Sequence, residues 1–163
     1  MINYKKYLGS IILLATVLLL TACTLKKTDN QFPSTSQGYP KTDTILINGR
    51  EYKIKDLYAG EKIVEAVTIE IDEDNNEFEL VLPVGTSNSQ WSINQKDILL
   101  DNYTRSKVNV KEELEGPSPY IQTFNFTSDA HEIILKHHNV NELDKDFSDI
   151  EEDYMLKLQV IYK

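Results

Sequence analysis

From residue 44 onward, apolar and polar residues alternate with a period of two in several short runs, and that period predicts β-strands. Val67, Ile69 and Ile71 alternate with Thr68, Glu70 and Asp72, the pattern of a half-buried strand. Phe78, Leu80 and Leu82 share one face of the run 77–83. Trp91 and Ile93 begin another strand, and 98–100 is a short apolar piece. A weaker run covers 106–114, where Val108 and Val110 alternate with polar residues. Residues 120–126 (YIQTFNF), 131–138 (HEIILKHH) and 154–162 (YMLKLQVIY) complete the series. The connections carry turn chemistry. Asn48-Gly49 separates two β-prone runs in 44–54, and Asn-Gly accepts the two positive φ angles of a type I′ hairpin turn. Residues 56–62 form a loop around Gly60, 72–76 (DEDNN) a turn, 115–119 (EGPSP) a loop stiffened by two prolines, and 139–153 a long acidic loop. No stretch shows a convincing amphipathic-helix period. About eight short strands with such connections predict an all-β, immunoglobulin-like sandwich, with an antiparallel barrel as the alternative.

The N-terminal part reads differently. Lys5 and Lys6 precede an apolar run, 11–20, which ends in Leu20-Thr21-Ala22-Cys23. Basic residues, an apolar stretch and a small-residue cleavage site make a bacterial secretory signal. The stretch 8–22 is only 15 residues and holds Gly9, Ser10, Thr16 and Thr21, whereas a membrane span needs about 20 apolar residues. Leu-Thr-Ala-Cys resembles the lipobox of bacterial lipoproteins, which implies that Cys23 is lipidated and becomes the mature N-terminus. The expected organisation is a signal peptide over 1–22, a lipidated Cys23 with a flexible tether through residue 43, and the sandwich over 44–163. The tether reading rests on polar composition with Pro33, Gly38 and Pro40. The expected address is the cell membrane, lipid-anchored and outside the cytoplasm.

Charge narrows the partners. Fifteen of the 17 basic residues and all 26 acidic ones follow Cys23, so that part carries a net charge of −11. No basic patch for phosphates is visible, which argues against nucleic acid. The same charge disfavours lying flat on anionic lipid, leaving anchorage to acyl chains. Cys23 is the only cysteine, so the domain has no disulfide, thiolate metal site or cysteine nucleophile. An EF-hand loop starting at Asp72 would need Gly at its sixth and Glu at its twelfth position, but Glu77 and Pro83 stand there. His131, His137 and His138 are the only histidines. His137 or His138 with Asp144 or Asp146 offers a surface zinc arrangement, against a partly exposed histidine at a strand end. Ser87 and Ser89 have no histidine nearby in sequence, and no nucleophile motif is present, so no catalytic residue, cofactor or metal is expected.

Three features occur in a particular order. A strand ending in Leu82-Pro83 runs into a small-residue loop, 84–90, closed by Trp91. A Gly-Pro loop, 116–119, leads into the aromatic strand. The strand HEIILKHH leads into a long loop and a last strand. This order resembles the chagasin-like family of cysteine peptidase inhibitors, over roughly 67–163. The family has an immunoglobulin-like sandwich, and three loops at one end enter the active-site cleft of papain-type peptidases. The first family loop reads Asn-Pro-Thr-Thr-Gly-Tyr-x-Trp. Thr86 and Trp91 match it, Val84, Gly85, Ser87 and Ser89 replace other positions, and Asn88 stands for the Gly, as a residue that tolerates positive φ. Gly116 alone matches the second loop, and the third loop has no Arg-Pro-Trp. The resemblance implies a partner-binding tip of Thr86, Ser87, Asn88, Ser89, Trp91, Gly116, Pro117 and Ser118, with a papain-type cysteine peptidase as partner. The alternative is a non-inhibitory envelope lipoprotein that binds a small ligand, a metal or a component of a surface machine.

Overall fold

The computed structural model describes residues 32–60, 62–72, 74, 76–95, 98–100, 102–140 and 147–163. The expected signal peptide, Cys23, Asp144 and Asp146 lie outside the described residues. The chain from Phe32 to Lys163 is one compact unit.

The all-β sandwich forms as expected, with ten strands among the described residues: β1 Thr44–Ile47, β2 Arg50–Lys53, β3 Ile63–Ile71, β4 Glu77–Pro83, β5 Ser89–Gln95, β6 Ile98–Leu100, β7 Tyr103–Lys107, β8 Tyr120–Thr127, β9 Glu132–Asn139 and β10 Glu152–Tyr162. The sequence pattern locates most of them. Asn48 has φ 49 and Gly49 φ 73, the signature of a type I′ turn, and β1 pairs with β2 across it. The Asn48 carboxamide also donates to Glu77 O (3.0 Å) and accepts from Glu79 N (2.7 Å), so the turn is latched to β4. The weak strand expected over 106–114 is displaced. β7 ends at Lys107, and beyond it Val108 and Val110 are only half-buried.

Two five-stranded sheets pack face to face, ordered β2-β1-β4-β8-β7 and β3-β10-β9-β5-β6. The four strands β1-β4-β8-β7 take the order of the four-stranded sheet of an immunoglobulin domain, and β10-β9-β5 that of the opposing sheet. β3 adds to β10 in parallel, and the other pairings are antiparallel. Phe78, Leu80 and Leu82 from one sheet meet Trp91, Ile93, Ile133, Leu135, Leu156 and Leu158 from the other, all nearly inaccessible to water. Each such aliphatic side chain contributes about 1.5–3 kcal/mol by leaving water. Among the described residues, these side chains form one continuous core between the two sheets.

The flexible-tether reading does not hold for 32–43. Phe32 and Tyr39 are buried, and Phe32 packs on Leu46 and Val81 with Ile121 at their edge. Those three side chains point away from the main core, and the strap makes them a second, outer cluster. The strap folds back on itself, with a bridge between Ser34 and Pro40 and a bond from Lys41 N to Pro33 O at 2.9 Å. It also clasps the loop after β7. Gln37 O accepts from Lys111 N (3.0 Å), and the Tyr39 hydroxyl donates to Glu112 O (2.9 Å) and accepts from Leu114 N (2.5 Å). Gly38, at φ 96, sits so close to Asn109 O that a Cβ would lie 2.6 Å from it. Two well-spaced aromatic anchors outweigh a polar composition here.

Candidate functional site

Strand register gathers four connections at one end of the sandwich. Pro83 pairs with Ile121, Ser89 with Asn139, and Glu152 with His138. The β4–β5, β7–β8 and β9–β10 connections therefore share that end, and the β2–β3 loop joins them because Ile63 pairs with Tyr154.

The first two loops are bonded to each other. Thr86 and Pro117 form an isolated bridge, and Ser118 N donates to Gly85 O at 2.7 Å. The Tyr58 hydroxyl, from the β2–β3 loop, donates to the same Gly85 oxygen at 2.7 Å and reaches Gly116 O at 3.5 Å. Burial, then the charge of Asp56, pushes the Tyr58 phenol above its ordinary pKa, so it stays a donor at neutral pH. Arg105, on β7, donates to Ser87 O (3.2 Å) and lies 5.0 Å from the centre of the Tyr120 ring. Val140 N donates to Asn88 O at 2.8 Å, which ties the third connection to the first. Tyr58 and Arg105 carry no motif, and only the fold brings them to the tip.

The β4–β5 loop is braced from below. His137 Nε2 lies 2.7 Å from Val84 O, and its ring packs on Trp91 with centroids 5.1 Å apart. Burial holds the His137 pKa below its ordinary value, with His138 adding to the effect. The bond to Val84 and the charge of Asp153 oppose it. A neutral imidazole with its proton on Nε2 donates to that carbonyl. Trp91 Nε1 donates to Pro83 O at 2.7 Å. Gly85 takes φ 79, and a Cβ there would lie 3.3 Å from His137 Nε2.

The expected partner-binding set divides accordingly. Ser87, Asn88 and Gly116 are exposed, and Thr86 and Pro117 are half-buried at the bridge. Trp91, Ser89 and Ser118 are buried and cannot touch a partner on this surface. Trp91 is 1% exposed because β5 lies inside its sheet, where the indole fills the core between Tyr154 and His137. Ser89 opens β5, its hydroxyl 2.5 Å from that of Thr86, and the Ser118 hydroxyl accepts from Tyr120 N. Asn88 does not take the positive φ expected of a Gly substitute. Among the described residues Asn48 is the only non-glycine that does, and the left-handed position of this loop is Gly85.

The histidines also differ from expectation. His137 and His138 are buried rather than partly exposed, because β9 lies between β10 and β5. His138 Nε2 lies 2.8 Å from Ser92 Oγ, and its Nδ1 lies 2.9 Å from Asn139 O. Inspection of the sequence missed this serine–histidine pair, since the two residues are far apart in the chain. Both side chains are buried, so the pair presents no reacting atom at the surface. Among the described residues, no three metal-ligating side chains converge, and no helix is long and apolar enough to cross a membrane.

Beside the tip, the β9–β10 connection is held by a buried amine. Lys136 Nζ donates to Phe147 O (2.8 Å) and Ile150 O (3.4 Å), lies 3.6 Å from Glu152, and sits 4.9 Å from the Phe147 ring centre. Burial raises the pKa of the Glu152 carboxyl. The Lys62 contact at 2.7 Å and the charge of Lys136 outweigh that, leaving it lowered and ionised. Between Leu57, Tyr58, Gly85, Thr86 and His137 lies a cleft of about 360 Å³. Comparison with family models, with curated proteins and with solved structures returned no match.

Proposed function

We propose that the chain is a lipid-anchored envelope protein whose sandwich-end loops dock on a protein partner. A papain-type cysteine peptidase is the partner class to which the chagasin-like loop order points. The observation that carries this reading is the joining of two loops into one stiff unit, through the Thr86–Pro117 bridge and the shared Gly85 carbonyl. A surface already ordered loses little conformational entropy on binding, and exposed Ser87, Asn88 and Gly116 form its outermost edge. The role is binding and not catalysis.

The test places bulk on that edge. Ser87→Arg and Asn88→Arg, each with an unchanged unfolding midpoint, weaken peptidase binding at least tenfold if the edge enters the cleft. Unchanged affinity in both variants refutes the docking mode. The anchor is tested separately, by metabolic labelling with a palmitate analogue, where the wild type takes up label and Cys23→Ser does not.

The cleft beside Tyr58 favours a second reading, a small ligand held at the same end. A ligand that binds only the folded protein raises its melting temperature, so a thermal-shift screen separates the two readings.

A further inference from the structure

β3 is an edge strand, and its edge differs from the other three in the two sheets. β2, β6 and β7 have four, three and five residues, whereas β3 has nine. β2 and β7 carry Arg50 and Lys53, and Arg105 and Lys107, the charges that commonly blunt an edge. β3 reads Ile-Val-Glu-Ala-Val-Thr-Ile-Glu-Ile, with neither a basic residue nor proline. Among the described residues, no strand pairs with its outer side.

The ladder to β10 sets which backbone groups face outward. Lys163 N donates to Ile71 O at 3.0 Å, and Tyr162 is the Cα partner of Ile71. In a parallel ladder the N–H and C=O of one residue point to the same side, and the side alternates along the strand. Ile63, Glu65, Val67, Ile69 and Ile71 therefore bond to β10. Val64, Ala66, Thr68 and Glu70 turn their N–H and C=O groups to the open edge.

We infer that this edge pairs with the same strand of a second copy of the chain, antiparallel and centred on Val67. The register follows from three requirements. A two-fold axis makes the contact self-complementary. An axis that passes through a residue, and not between two residues, keeps the inward face of each copy on the same side of the joined sheet, as the period of two demands. A centre at Val67 brings the four outward residues together as hydrogen-bonded pairs, Val64 with Glu70 and Ala66 with Thr68, each occurring twice. Charge agrees with that choice. Glu65 falls opposite Ile69 and Glu70 opposite Val64, so no carboxylate faces its own copy, and Lys62 falls opposite Asp72. A centre at Glu65 would set two glutamates directly against each other, which is destabilising. The inference does not depend on the docking reading, because it uses the backbone of 64–70 and none of Thr86, Ser87, Asn88, Gly116 or Pro117.

Residues 32–163, one compact unit with a core of its own, serve for the test. Sedimentation velocity over a rising concentration series is expected to show a monomer–dimer equilibrium. Amide exchange by NMR is expected to show Ala66, Thr68 and Glu70 gaining protection with concentration, while Val67 and Ile69 are protected throughout. In the proposed register Ala66→Lys with Thr68→Lys sets lysine against lysine and abolishes the dimer. Ala66→Lys with Thr68→Glu sets lysine against glutamate and restores it. Both positions are exposed, and equal unfolding midpoints establish that the variants fold. A monomer at millimolar concentration overturns the inference. So does a dimer indifferent to the double-lysine change, or edge amides protected only when a different protein is added.

Discussion

Gln122, on one sheet, satisfies the backbone of Trp91, on the other. Its carboxamide oxygen accepts from Trp91 N at 2.7 Å, and its nitrogen donates to Trp91 O at 3.3 Å. The reason lies in the length of β6. Its pairing with β5 begins at Ile93, so among the described residues no strand lies beside the outward backbone groups of Trp91. Gln122, fully buried, supplies the missing partners from across the core. Leaving a buried donor or acceptor unmade costs about 1–3 kcal/mol. Gln122→Leu keeps the volume and removes both bonds, so it should lower stability by about 2–4 kcal/mol in urea titrations. A loss below half a kilocalorie would show that water replaces the amide.

His137 predicts a pH dependence with a definite sign. Its folded-state pKa lies below the ordinary value of 6.5, so the unfolded chain takes up a proton that the native state refuses. The stability from a neutral His137 is complete above about pH 6.5 and is lost as the pH falls toward the folded-state pKa. The slope from this group is at most about 1.4 kcal/mol per pH unit. Urea midpoints of the wild type between pH 7.5 and 5 should therefore fall more steeply than those of His137→Gln, which keeps a donor for Val84 O. Parallel curves would exclude His137 as the source.

The two glycines of the tip should respond differently to alanine. A positive φ costs an L-residue about 1–2 kcal/mol. Gly116 pays that alone, since nothing lies within 4 Å of its added Cβ. Gly85 meets the His137 ring as well, and its carbonyl joins two loops. Gly85→Ala should cost more than Gly116→Ala by about 1 kcal/mol or more, and it should change the chemical shifts of Tyr58.

Lys136→Met leaves Phe147 O and Ile150 O without their donor and leaves Glu152 with Lys62 alone. Removing one partner of a buried ion pair costs about 3–5 kcal/mol, and the retained Lys62 contact brings the expected loss to about 2–3 kcal/mol. Amide exchange should accelerate first at residues 147–152.

The strap predicts that the domain does not begin at residue 44. A chain of residues 44–163 uncovers Leu46, Val81 and Ile121 and frees the loop clasped by Tyr39. It should bind a hydrophobic dye that residues 32–163 do not bind. Phe32→Ala within the longer chain should cost about 3 kcal/mol.

These examples show where sequence patterns are informative. Period-two alternation marks β3 and β4, and Asn48-Gly49 marks its hairpin, because each is a local property of neighbouring residues. Burial of Trp91 and His137 depends on β5 and β9 lying inside their sheet, and strand order is not local. The strap was obscured by its composition, since Phe32 and Tyr39 are single anchors without a period. The tip shows both cases. Its loops are visible as runs of small and turn-forming residues, but which of those residues face outward follows from the bridge between Thr86 and Pro117.

Docking at the tip is decided by titrating a papain-type cysteine peptidase with residues 32–163. Activity should fall linearly to about one equivalent, competitively with an active-site ligand, and Asn88→Arg should abolish the effect. Full activity at micromolar domain, across several such peptidases, would rule the docking mode out.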